Sequence, residues 1–181
     1  MASSFASFVQ SGWVVSRAVA WIEAQRAAHR PHAGRLPDET RQRLDPYFEP
    51  ATLEPVRVHS VERLRPPAGF GLLGHLPPFG IDFERVLGMT FADTIVVAEG
   101  LISDEVRLAN LFHECVHVAQ YRQLGIQAFV RRYLAGWAAA DYRYRAIPME
   151  RDAYDLQRRF VSSPAVSFSV ESEVSRRLDQ A

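Results

Sequence analysis

Apolar residues recur along this chain with two periods, and the switches between those periods outline its elements. Phe8, Val15, Val19 and Ile22 share one stripe of a helix predicted from about residue 5 to residue 29, with Arg17, Glu23 and Arg26 off the stripe. Trp13 and Trp21 mark a second, partly exposed face, suited to packing on the rest of the protein or to a partner or membrane surface. Leu36-Pro37-Asp38-Glu39 opens a short helix to about Leu44, and Pro46 and Pro50 close that segment. The period then drops to two. Val56 to Val61 alternates and predicts a first strand, with His59 an ordinary strand residue. Met89 to Ala98, rich in β-branched and aromatic residues, predicts a second strand ending at Glu99-Gly100. Asp93 interrupts it and suits solvent, or a role against edge pairing. Residues 66–80, with four Gly and four Pro among Phe70, Leu72, Leu73, Leu76 and Phe79, predict an irregular loop with apolar grip. Such a loop serves as a lid, a pocket wall or packed structure.

Helical spacing returns beyond the second strand. Ser103 is an N-cap followed by acidic Asp104 and Glu105, and Gly125 is a natural stop, so a helix is expected from Asp104 to Leu124. Leu108, Leu111, Phe112, Cys115, Val116 and Ala119 cover most of its circumference, which predicts burial. Ile126 to about Arg143 reads as an aromatic helix, and Pro148 opens another that runs to about Val161. The Ser-rich, charged stretch 162–181 reads as a mobile tail or a short docked helix.

Composition narrows the classes. The 181 residues are 48% hydrophobic and 23% charged, ordinary globular values with room for one sizeable core. Zero formal net charge argues against a nucleic-acid surface, which wants clustered excess Lys and Arg. A single cysteine excludes an intrachain disulfide and a four-Cys zinc ribbon. No stretch has the length of a transmembrane helix, and the start lacks the basic region of a signal peptide, so the expected compartment is the cytoplasm, with export by a non-classical route the alternative.

The candidate chemistry lies on the buried helix. His113-Glu114-Cys115-Val116-His117 places two imidazoles four residues apart, one above the other, where both can face one ion. Glu114 lies beside the first of them, placed to reach water at that ion without ligating it. Cys115 points elsewhere and reads as apolar filler. A catalytic zinc site needs a third protein ligand and an open fourth position. Glu150, in the first turn of the helix opened by Pro148, is the best candidate; a capping carboxylate there is the plain alternative. Tyr121 and Tyr154, one turn beyond His117 and Glu150, are either oxyanion donors or packing residues, with Tyr154 the stronger candidate for a catalytic role.

The runs Leu111-Phe112-His113-Glu114-Cys115-Val116-His117-Val118-Ala119-Gln120 and Pro148-Met149-Glu150-Arg151-Asp152-Ala153 resemble those of gluzincin metallopeptidases, especially small bacterial zincin-like domains. The resemblance spans roughly residues 88–161. It implies Zn2+ held by His113, His117 and Glu150, with Glu114 as base. Many gluzincins carry an Asp four residues after the Glu ligand; here that position is Tyr154. The implied fold is α+β and zincin-like, a small twisted, mostly antiparallel sheet on the motif helix and the Glu150 helix, with an edge strand that pairs with an extended peptide. Three segments follow: a helical arm (1–35), a peptidase domain (36–161) and a tail (162–181). The expected activity is zinc-dependent hydrolysis of a peptide or protein. The competing readings are a non-catalytic zinc-binding interaction module and a zinc hydrolase of a non-peptide amide.

Overall fold

Local signals set most element boundaries in the computed structural model, which describes residues 11–64, 86–99, 103–163 and 165–180. Helix α1 (Gly12–His29) starts where the Ser11 hydroxyl accepts from Val14 N–H, and a 3-10 turn, Arg30–His32, follows it. Helices α2 (Asp38–Leu44) and α3 (Pro50–Leu53) precede strand β1 (Arg57–Val61). The expected loop at 66–80 lies outside the described residues, as do residues 5–10 of the expected first helix. Strands β2 (Gly88–Phe91) and β3 (Thr94–Ala98) come next, then helices α4 (Asp104–Ala139), α5 (Pro148–Ser162) and α6 (Val170–Asp179). The fold is α+β.

Two expectations about the strands need correction. Met89 to Ala98 is a hairpin: Phe91 pairs with Thr94 across a two-residue turn. The usual glycine signal is missing, because the turn is made by Ala92 at φ 58°. Asp93, the other turn residue, accepts from Arg26 Nε and Nη2, both at 2.7 Å, and lies 2.8 Å from Arg30 Nη1. It therefore ties the hairpin to α1, and two cations take the place of solvent. The sheet is also mixed, in the order β1-β3-β2, with β1 parallel and β2 antiparallel to β3. Central β3 is buried on both faces, as a strand with helices on either side must be.

Alternation along β3 divides the core. Ile95 and Val97 join the cluster formed with Leu111, Phe112, Cys115 and Val116 of α4. Val96 turns the other way, to Phe91, Tyr121, Phe129 and the Val15 and Ile22 stripe of α1. Phe112 anchors the first cluster, stacked on Phe160 at 4.4 Å and met edge-on by Tyr47 and Phe48. α4 contains the expected break: Gly125 sits at φ 73°, ψ 161° between two helical runs. The second run stops at Ala139 rather than Arg143, because Asp141 and Tyr142 take positive φ. At Gly136 a Cβ would lie 2.8 Å from Pro148 Cδ, so the missing side chain lets the start of α5 press against α4. The segment read as a tail holds α6, docked through buried Val170 and Val174 and by Val170 N–H donating to Tyr47 O at 2.9 Å. No described helix is long and apolar enough to cross a membrane.

Candidate metal centre

His113, His117 and Glu150 converge in the interior, each less than 7% exposed. Helical pitch stacks the two imidazoles, and α5 brings the carboxylate across from a point 33 residues further along the chain. His113 Nε2 and His117 Nε2 are 3.2 Å apart. Glu150 Oε2 is 3.4 Å from the first, and Oε1 is 3.4 Å from the second. A tetrahedral ion with bonds of roughly 2.0–2.1 Å sets neighbouring donors about 3.3 Å apart. The three side chains already have that spacing.

Hydrogen bonding and charge point the same way. Glu150 Oε2 is buried without a hydrogen-bond partner, an expensive condition for a carboxylate oxygen unless a cation is shared. Burial by itself raises the Glu150 carboxyl, but the two imidazoles hold it well below the usual carboxylate range. Burial alone would lower His117; Glu150, with help from Glu114 and Gln120, raises it to about 9. The cluster thus calls for positive charge, which a proton or a metal ion can supply. These residues could hold a metal ion.

Neighbouring side chains fix the donors. Gln120, one turn on from His117 and only 1% exposed, places Oε1 2.8 Å from His117 Nδ1 and donates through Nε2 to Met149 O at 3.2 Å. With Oε1 accepting, a hydrogen sits on His117 Nδ1, and Nε2 is the nitrogen that faces Glu150, carrying the second hydrogen when the ring is charged and free to offer its lone pair when a metal ion takes that hydrogen's place. Tyr133 OH donates to Glu150 Oε1 at 2.8 Å, and Tyr144 lies near enough to feel that carboxylate's charge. Burial and Glu150 raise both phenols, which stay neutral. Asp152 and Asp155 contact Arg177 of α6 instead, at 2.9 and 3.4 Å.

Glu114 lies beside the donors and outside their triad. Thr90 of β2 donates to its Oε2 at 2.7 Å and to its backbone oxygen at 3.1 Å. Burial raises its carboxyl, against the pull of His113, His117 and Thr90. Gly88 makes room for it: a Cβ there would stand 2.6 Å from Glu114 Oε1 and 2.7 Å from Asn110 Nδ2.

The remaining candidates separate clearly. The Tyr154 ring, half-buried, lies 4.4 Å from that of His113, with the Arg145 guanidinium 5.4 Å over its face. Tyr121 is stacked on Phe129 at 3.6 Å in the second core cluster. Cys115 belongs to the first cluster, and burial pushes its thiol up. Sequence reasoning took Tyr133 and Tyr144 as core or cleft-wall aromatics and gave no role to Thr90 or Gly88. Tyr133 had one usable signal, an aromatic with a polar tip on the helix that follows the motif. Gly88 and Thr90 had none, since their importance lies in what packs against them. No protein-family model, curated protein or solved structure matches this chain.

Proposed function

We propose that this protein is a zinc-dependent peptidase of gluzincin type, with His113, His117 and Glu150 as the ligands of Zn2+ and Glu114 as the general base. The observation that carries the reading is the buried donor triangle of 3.2, 3.4 and 3.4 Å, set beside a carboxylate that is no part of it. When bound, zinc supplies Lewis acidity, polarising a carbonyl and acidifying water. The chain's own residues do the rest. Glu114, with Oε2 held by Thr90, takes a proton from the attacking water and returns it to the leaving nitrogen. Tyr133 and Gln120 keep Glu150 and His117 aimed at one point. Tyr154, whose ring packs against His113, is the donor we assign to the developing oxyanion. β2 carries Thr90 and, as an edge of the zincin-like sheet, aligns an extended peptide along the site.

Metal analysis of the purified chain, beside Glu114→Gln, tests this. About one tightly held zinc per chain, retained in Glu114→Gln while peptide turnover falls by at least about 10²-fold, is the expected result. Loss of the metal in Glu114→Gln would remove Glu114 from the role of base. Turnover unchanged by that substitution would overturn the mechanism.

A further inference from the structure

Outside α4, the described histidines meet at one place. His29 ends α1, His32 ends the 3-10 turn and His59 is the middle residue of β1. The backbone around them is fixed. Gly34 and Val58 exchange two hydrogen bonds, 2.9 and 2.8 Å long, which pin the chain just after His32 to the residue before His59. The His29 ring lies parallel to that of Phe91, 6.1 Å away. His29 Nδ1 and His59 Nδ1 are 2.9 Å apart, and the His32 ring centre is 5.7 Å from that of His59.

We propose that His29, His32 and His59 form a second metal site, for a transition-metal cation that prefers imidazole such as Ni2+, Cu2+ or Zn2+. Two ring nitrogens at 2.9 Å share one hydrogen, so both rings already aim at a common point. Cis donors on an ion with roughly 2.0 Å bonds stand about 2.8 Å apart in square-planar geometry and about 3.3 Å apart in tetrahedral geometry. An ion replaces the shared hydrogen once both rings turn toward a point beside the N–N line, the nitrogens keeping their separation, while the donor ring shifts its hydrogen from Nδ1 to Nε2. His32 is exposed and swings in by rotation about its own side-chain bonds, and water completes the coordination. All three ligands are neutral nitrogens, which disfavours Mg2+ and Ca2+. Arg26 and Arg30 stand nearby, but both are paired with Asp93, which offsets much of their repulsion. Exposure and that residual charge make this the weaker of the two sites. It joins α1, the following turn and the sheet edge, so its occupancy clamps the N-terminal helix to the sheet.

The inference is independent of the peptidase reading. Calorimetric titration of the chelator-stripped full chain with Ni2+ and with Zn2+ tests it. Two classes of site are expected, the weaker with affinity on the order of micromolar. His59→Gln and His32→Ala should each weaken that class at least tenfold and spare the tighter one, whereas Glu150→Ala should do the reverse. His32 is exposed on a short turn, so its loss leaves the fold intact even if His59→Gln perturbs β1. No metal uptake, or titrations in which His59→Gln and His32→Ala leave every class of site unchanged, overturns the proposal, whether one class is seen or two.

Discussion

At the scale of single residues, the proposed metal centre rests on groups outside the His113, His117 and Glu150 cluster. Tyr133 engages Glu150 Oε1, and Gln120 fixes the hydrogen on His117 Nδ1, so each ligand is offered in one orientation. Partners of this kind typically account for 10- to 100-fold in metal affinity. Tyr133→Phe is therefore expected to weaken zinc binding by about tenfold or more while keeping the fold, since it removes one oxygen from an otherwise unchanged ring. Competition with a chromophoric chelator measures it. Affinity equal to wild type would show that the hydrogen bond contributes nothing to the site.

At the scale of elements, the hairpin and α1 depend on each other. Ala92 holds a left-handed turn that costs an L-residue roughly 1–2 kcal/mol, and the neighbouring Asp93 is clasped by Arg26 and Arg30. Burial raises the Asp93 carboxyl, but the hydrogen bond and charge of Arg26 outweigh burial and leave it lowered. The sign follows. A carboxylate lowered in the folded state stabilises above its unfolded value of about 3.9, and the stabilisation is lost as pH falls through the folded value. The pair is partly exposed and screened, so its coupling should be about 1 kcal/mol or less. Asp93→Asn is expected to unfold more easily than wild type at pH 7, with the difference closing below about pH 4. Denaturant melts at the two pH values check this, and a gap that persists in acid would assign the effect to packing.

At the scale of the whole molecule, the candidate metal centre joins His113 and His117 of α4 to Glu150 of α5. An ion bound there and not in the unfolded chain adds its binding free energy to stability. At a thousandfold excess over Kd this is about 4 kcal/mol, or roughly 10 °C in Tm for a chain of this size. Chelator should lower Tm by that order in wild type, and Glu150→Ala should lose most of the response. A wild-type melt indifferent to chelator would leave the triad as a proton-sharing polar cluster.

Much of this was legible in the sequence because it is local. The i, i+4 histidines, the Ser103 cap, the break at Gly125 and the start of α5 at Pro148 follow from helical pitch, capping and the dihedral preferences of Gly and Pro, which act over a few residues. Helical pitch proposed His113 and His117, whereas Glu150 as their partner rested mostly on the gluzincin resemblance. Only the tertiary structure decided that the three donors stand about one tetrahedral edge apart, that Met89 to Ala98 folds back on itself at Ala92, and that β1 runs parallel to β3. It also decided that Tyr133 meets Glu150, that Gly88 leaves room for Glu114, and that His29, His32 and His59 gather at one edge of the sheet. Pairing across the chain depends on which faces bury together, and one residue's pattern carries no record of the distant residue that will meet it.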